Sequence, residues 1–374
     1  MAGLYVHIPF CKQACHYCNF HFSTSLKLKQ NLLHALHIEL QQRKDYLETK
    51  ELDTIYLGGG TPSILEVDDI MRLFDQISQI FTWPTNAEIT IEANPDDLSM
   101  EKIKSLKMTP VNRLSIGIQS FHDPELQFMN RSHDAELAHR SLFLAQSEGF
   151  DNITMDLIYG SPISSTSIWQ ENLEQMMQYG IPHFSCYALT VEPRTVLAHQ
   201  VKMGKTHSPD DKLMAQYFTI LMEFAKSNGY QHYEISNFAK PNRLAIHNRN
   251  YWLGKSYLGI GPSAHSYNGS SRSWNVSSNP EYIRSTVQGQ RHFREEILSC
   301  MDRYNEYVMT RLRTMWGCDI NEIRDISEAY ASHFSKAVLK HLGTNLMKQD
   351  GSQHKLTNEG KFFADRIARD LFVI

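Results

Sequence analysis

Short β-rich runs alternate along the first half of the chain with longer segments of helical periodicity. The runs fall at 4–8, 54–57, 88–92, 113–118, 153–158 and 184–189, each bounded by Gly, Pro, Asn or Asp. Between them, 26–47, 63–81 and 135–148 place apolar residues at helical spacing, and 97–106 reads as a shorter helix. Ser63, just after Pro62 and three residues before Glu66, has the spacing of a capping box. Strands that alternate with helices form parallel βα units joined by right-handed crossovers. Six such units in ~190 residues predict an α/β fold, a partial (βα)6 TIM-like barrel that stays open rather than closing with eight strands.

Chemistry in such folds sits at the C-terminal ends of the strands, and here those ends are unusual. The first runs into Cys11, Cys15 and Cys18, and the second into Gly58-Gly59-Gly60-Thr61-Pro62. The third ends at Glu92, the fourth at Gln119, the fifth at Asp156 and Gly160, and the sixth near Tyr187 and Ala188. One polar group per strand end predicts a single concave site.

The pattern changes after about residue 192. A helix over 210–228 follows Ser208, a candidate cap, and an extended stretch covers 231–238. A loop rich in Gly, Ser, Asn and aromatics covers 240–278. The last part reads as helices plus a hairpin turning at Asp350-Gly351, closed by a helix after Thr357. The expected organisation is a core domain over 1–238, a linker over 239–290, and a helical, winged-helix-like domain over 291–374.

Composition narrows the function classes. With 37 basic and 41 acidic residues the formal charge is −4, without the basic surplus of a nucleic-acid binder. No stretch approaches the ~20 apolar residues of a membrane span. The N-terminus lacks the charged and apolar regions of a signal peptide, so a cytoplasmic protein is expected. Cytosolic thiols serve metals or catalysis more often than disulfides. Three of the six cysteines fall within eight residues, and Cys186, Cys300 and Cys318 are scattered, as small buried residues are.

Cys11, Cys15 and Cys18 form C-x3-C-x2-C directly after a strand. A [4Fe–4S] cubane takes four cysteines in an ordinary site. Three leave one iron open, able to chelate the amino and carboxylate groups of S-adenosylmethionine (SAM). The competing reading is zinc, with His21 completing a Cys3His set. A zinc staple does not call for a triple glycine or a ring of polar strand ends, which favours the cluster.

These residues resemble the radical SAM superfamily. Within it, YVHIPFC, GGGTP, SIGIQSF and DLIYG are similar to the branch that holds the oxygen-independent coproporphyrinogen dehydrogenase and the HemW-type haem chaperones. The resemblance spans essentially the whole chain. It implies that Gly59, Gly60 and Thr61 form the methionine-binding turn, where a backbone without Cβ atoms approaches a ligand closely. It implies that Tyr5 and Tyr17 lie beside the cluster, and that Glu92, Gln119, Arg131 and Asp156 contact SAM. Arg131 would meet the methionine carboxylate as a charge-assisted pair. Gly160 and Ala188 would line the same site. Gly160-Ser161-Pro162 departs from the family's usual GLP, which touches only local loop shape.

Two functions from different classes follow. One is radical oxidative decarboxylation of coproporphyrinogen III. The other is a chaperone that binds haem and delivers it to haem-requiring proteins. The dehydrogenase carries a further cysteine in C-x3-C-x2-C-x-C, where this chain has Phe20, and a longer segment before the cluster, where ten residues precede Cys11. His247-Asn248-Arg249-Asn250-Tyr251-Trp252 matches the HNxxYW motif of the chaperone group. A histidine flanked by aromatics suits haem, with His247, Tyr251 and Trp252 as candidate contacts and His265 as a rival iron ligand. The expectation is therefore a chaperone holding a [4Fe–4S] cluster, SAM and haem. Its expected partners are respiratory haem acceptors and a bacterioferritin-like donor, as a monomer or cluster-linked homodimer.

Overall fold

The computed structural model describes residues 2–374. Strands β1 (Gly3–Ile8), β2 (Thr54–Gly59), β3 (Glu88–Ala93), β4 (Arg113–Gln119), β5 (Ile153–Tyr159) and β6 (His183–Ala188) pair in parallel in chain order. Helices such as Lys29–Gln42, Val67–Ser78 and Ala135–Ser147 cover one face. The period of two along each strand decides which side chains they cover. Leu4, Val6 and Ile8, Ile89 and Ile91, and Leu114, Ile116 and Ile118 belong to the buried core against the helices. Tyr5 and His7, Thr90 and Glu92, and Ser115 and Gly117 alternate with them onto the concave face.

The sheet is larger than six strands. β7 (Gln231–Glu234) and β8 (Asn237–Ala239) extend one edge through antiparallel pairing of β8 with β6. At the other edge β9 (Tyr257–Ile260) adds parallel to β1, followed by antiparallel β10 (His265–Tyr267), β11 (Ser271–Asn275) and β12 (Phe293–Ile297). The order is β12-β11-β10-β9-β1-β2-β3-β4-β5-β6-β8-β7, and its two ends are unpaired with each other among the described residues, so the barrel is open.

This corrects the loop expected over 240–278 and the linker over 239–290, because that region is an integral part of the sheet. A buried polar network fixes it there. Glu39, fully buried on helix Lys29–Gln42, accepts from the backbone N–H of Gly261 at 2.9 Å, Asn275 Nδ2 at 2.7 Å and the Tyr282 hydroxyl at 2.7 Å. Arg43, one turn on, donates to the Gly259 carbonyl and Ser266 Oγ, both at 2.8 Å. Breaking one partner of such a network costs about 3–5 kcal/mol.

Two helix starts also differ from expectation. Ser63 caps nothing: Pro62–Ile64 is a 3-10 turn, and Ser63 Oγ donates to Asp97 at 2.6 Å while the next helix begins at Val67. Helix Asp211–Ser227 is capped by Asp210, which accepts from the Leu213 N–H, rather than by Ser208.

The C-terminal part has its own core of Tyr304, Val308, Phe334 and Ile367. Helices Cys300–Leu312, Glu328–Ala337 and Ala364–Leu371 pack on an antiparallel sheet of β13 (Cys318–Asp319), β14 (Met347–Asp350) and β15 (Gln353–Leu356). The β14–β15 hairpin turns at Gly351, whose φ of 59° suits glycine, and Thr357 caps the helix that follows. Among the described residues no helix is long and apolar enough to cross a membrane.

Candidate functional site: a cysteine loop, a polar lumen and an aromatic cavity

The cysteine loop leaves the C-terminal end of β1 and is tied down by the neighbouring strand ends. The backbone N–H groups of Gly60 and Thr61 donate to the carbonyls of Ile8 and Phe10 at 2.9 and 2.7 Å. A Cβ on Gly60 would lie 2.6 Å from the Phe10 carbonyl, and Gly59 has φ of 114° with the His7 ring where a Cβ would be. Gly60 is required where the turn presses on the Phe10 backbone at the start of the cysteine loop, while Gly58 and Gly59 are hemmed in by Tyr56, Tyr5 and His7 on β2 and β1. Thr61 Oγ1 donates to Cys11 Sγ at 3.6 Å, and Arg131 donates through Nη1 to Cys15 Sγ at 3.3 Å.

Asn94 links these two contacts. Its amide donates to Thr61 Oγ1 at 3.3 Å and its carbonyl accepts from Arg131 at 2.7 Å, while Arg131 also donates to the Gly117 carbonyl at 2.8 Å. Sequence reasoning passed over Asn94; its one signal was its place two residues beyond Glu92. Lys12 pairs with Asp96 at 2.9 Å and with Asp97, staking the loop from its other side.

The three thiols are partly exposed and free. Burial pushes the Cys11 thiol up to about 11, with the neighbouring Cys18 and Cys15 groups adding to the rise, and burial raises Cys18 as well. His21, the candidate fourth zinc ligand, is directed elsewhere: its Nε2 lies 2.7 Å from Asn279 Oδ1 and its ring stacks on His7. Among the described residues no three metal-ligating side chains converge on one ion position. A cubane spreads its thiolates over separate irons, so the donor set of three cysteines without a histidine fits a cluster and not a Cys3His zinc site.

The lumen of the open barrel forms a pocket of about 310 Å³ behind this loop. Glu92 accepts from the Tyr56 hydroxyl at 2.8 Å and from the Gly59 N–H at 3.0 Å. Burial pushes its carboxyl up to about 7 against those two bonds, and the Asp156 carboxylate adds to the rise. Asp156 accepts from Ser115 Oγ at 3.1 Å and is raised by burial. Gln119 sits at a bulge with φ of 67°, a left-handed conformation that costs a non-glycine residue about 1–3 kcal/mol. Such outliers cluster at functional sites. Glu92, Gln119, Arg131 and Asp156 are thus gathered round the strand ends. Tyr17 packs with Leu126, Met129 and Leu197 beside the cysteine loop.

The HNxxYW segment lies elsewhere than a loop. It is the helix Ile246–Trp252, whose first N–H groups, from Ile246 and His247, donate to the Glu88 carboxylate at 2.8 Å each. His247 is 3% exposed. Its Nδ1 lies 2.7 Å from Thr54 Oγ1 and its Nε2 2.7 Å from the Tyr251 hydroxyl, and its ring stacks on Tyr56. Both ring nitrogens of His247 are thus hydrogen-bonded, and the residue lines the lumen pocket while Tyr251 borders the outer cavity as well.

Tyr251 and Trp252 do face a cavity, one of about 870 Å³. It is bounded by the cysteine loop at Asn19–His21, by β9–β11, and by helices Cys300–Leu312 and Ile320–Ile326. Its walls are aromatic, from Phe20, Tyr251, Trp252, Tyr257, Tyr267 and Tyr307. Lys255 and Arg303 reach it without an ion-pair partner among the described residues, and Trp252 Nε1 is a buried donor with no acceptor. Volume and lining both fall within the range of small-molecule sites, about 300–1,000 Å³. Tyr5 and Tyr251 border both this cavity and the lumen.

Comparison with known proteins agrees with this architecture. Residues 5–169 match the radical SAM superfamily. The solved coproporphyrinogen III oxidase (HemN) of Escherichia coli has the same fold, with a TM-score of 0.86 over 100% of this chain and 90% of that one at 23% identity. Heme chaperone HemW of Bacillus subtilis is 32% identical over 372 residues, 98% of each chain. Heme chaperone HemW of Haemophilus influenzae is 32% identical over 98% of this chain and 96% of its own. With sequence identity sustained over nearly the full length of both chains, this chain belongs to the HemW family of radical SAM proteins.

Proposed function

We propose that this protein is a haem chaperone that binds haem in the 870 Å³ cavity and hands it to haem-requiring proteins. The observation that carries the reading is the cavity itself. Aromatic rings suit the faces of a porphyrin, and Lys255 and Arg303 are cations whose missing partners match two propionates. The orphaned Trp252 Nε1–H is a donor that a bound ligand can satisfy. The relatives that share its full length are named heme chaperones.

The superfamily implies a [4Fe–4S] cluster and SAM. We assign the cluster to Cys11, Cys15 and Cys18, and SAM to the strand ends. There Gly59, Gly60 and Thr61 border it, Glu92 and Asp156 offer acceptors to its ammonium and ribose, and Arg131 meets its carboxylate. A bound cluster supplies one iron free for SAM and an electron source beside it. Haem acceptors such as respiratory proteins, a bacterioferritin-like donor and a cytoplasmic location belong to the same proposal.

Coproporphyrinogen decarboxylation is the weaker reading, because Phe20 stands where that enzyme has a further cysteine. One sample separates the two. Protein reconstituted anaerobically with iron and sulfide is titrated with haem, then assayed with coproporphyrinogen III, SAM and reductant. Near-stoichiometric haem binding without decarboxylated product is expected. Robust protoporphyrinogen formation would overturn the chaperone reading.

A further inference from the structure

We propose that the haem iron is held by His265 on β10, and that the His247 motif builds the wall of the cavity instead of supplying the ligand. This rests on the haem-binding reading above.

Three histidines reach the cavity: His7, His21 and His265. His7 is buried with both nitrogens engaged, Nδ1 at 3.0 Å from the Tyr5 hydroxyl and Nε2 at 3.0 Å from the His21 carbonyl. His21 uses Nε2 on Asn279. His265 alone has neither nitrogen hydrogen-bonded among the described residues; its ring is exposed and lies flat against Trp274, 5.8 Å between centroids at 18°.

The other iron-ligating side chains on these walls are tyrosines, and they are committed. Tyr5 is bonded to His7 and Tyr251 to His247. Tyr267 donates to the Gly269 carbonyl at 3.3 Å, Tyr307 donates to the Asp319 carbonyl and accepts the Asp319 N–H, and burial pushes Tyr257 up to about 12, leaving it a neutral phenol.

His265 is also held in place. Its neighbour Ser266 is fully buried, where Oγ accepts from the Gly259 N–H at 2.9 Å and from Arg43 at 2.8 Å. A Cβ on Gly259 would fall 1.9 Å from the His265 carbonyl, so the strands are in direct backbone contact. With Ser266 turned into the core, the period of two turns His265 and Tyr267 outward to the cavity. A ligand fixed by backbone pairing and a stacked ring is pre-organised for one geometry.

The test is resonance Raman spectroscopy of the ferrous haem complex, with haem titration alongside. The wild type is expected to show an iron–histidine stretching band. His265→Ala is expected to lose it, to bind haem at least tenfold more weakly, and to regain the band when imidazole is added. That rescue separates a lost ligand from a damaged fold. His247→Gln is expected to keep the band. Retention of the band in His265→Ala together with affinity within twofold of wild type would overturn the assignment while leaving the chaperone reading intact. A wild-type protein that takes up no haem would overturn both. Loss of the band in His247→Gln but not in His265→Ala would return the ligand to the motif.

Discussion

The lumen pocket and the outer cavity share Tyr5 and Tyr251 as a common wall, yet they are finished to different degrees. In the lumen the carboxylates already have partners, Glu92 holding Tyr56 and the Gly59 N–H and Asp156 holding Ser115, and beside it Arg131 ties Cys15 to Asn94 and Gly117. In the outer cavity Arg272 pairs with Glu306 and Arg311 with Glu322, but both nitrogens of His265, the charges of Lys255 and Arg303, and the Trp252 N–H are open among the described residues. A satisfied buried network fixes one geometry, because loosening any member leaves another unpaired. Open groups on an aromatic wall describe a site that a ligand completes and can leave. The contrast fits a resident cofactor on one side of the wall and a transferable one on the other.

The largest effect that tests this contrast comes from Cys15→Ser. Removing one of three thiolates is expected to abolish stoichiometric iron and sulfide in the reconstituted protein. Haem uptake should stay near one per chain, with affinity within about twofold, because Cys15 does not line the outer cavity. Metal and sulfide analysis with haem titration on one preparation checks it. Loss of haem together with the cluster would make the two pockets a single coupled unit and erase the distinction.

A smaller effect is graded with pH and belongs to the lumen. Glu92 is pushed up to about 7 by burial, and Tyr56, Asp156 and Tyr5 face it. SAM presents a sulfonium and an ammonium, which favour the carboxylate. Its binding then displaces a proton below pH 7, so affinity should rise by up to about tenfold per pH unit towards 7 and level off above. Glu92→Gln should flatten the profile. The stability sign is opposite. Between the unfolded value near 4.5 and the folded value, the native state binds more protons, so the ligand-free protein loses stability as pH rises through that window, by up to roughly 3 kcal/mol. Isothermal titration and thermal melts at pH 5.5, 6.5 and 7.5 report both. Haem affinity should not follow the same curve.

How far the sequence discloses each pocket differs for a physical reason. The six parallel strands are legible to within a residue or two because Gly, Pro, Asn and Asp punctuate them, and a strand end is a local property. The cysteines and the GGGTP turn are contiguous motifs. The outer cavity is assembled from the cysteine loop, from strands more than 200 residues later, and from helix Cys300–Leu312. The pairing of β9 with β1 depends on contacts such as Glu39 with Gly261 that no local pattern encodes. The HNxxYW motif is legible as a string, but its helix is short, and the burial of His247 follows from Thr54 and Glu88 on two distant strands. Ser63 misleads for the opposite reason: its capping pattern is locally sound, and the tertiary bond to Asp97 takes the hydroxyl away.

The smallest expected effect sits where the two regions touch. Phe20 follows Cys18 by two residues, is 71% exposed, and projects at the edge of the outer cavity. An aromatic ring this exposed contributes little to folding, so Phe20→Ala should leave the melting temperature unchanged. If its ring covers part of a bound porphyrin, the lost contact is worth about 0.5–1.5 kcal/mol, a two- to tenfold weakening of haem affinity. Phe20→Cys restores the C-x3-C-x2-C-x-C spacing and adds a thiol at the same point, yet it rebuilds none of the cavity's other walls. It should therefore weaken haem binding to the same degree and produce no coproporphyrinogen decarboxylation. Decarboxylation by that single variant would mean that the outer cavity already holds a porphyrinogen in reach of SAM, and the division of labour across Tyr5 and Tyr251 would fail.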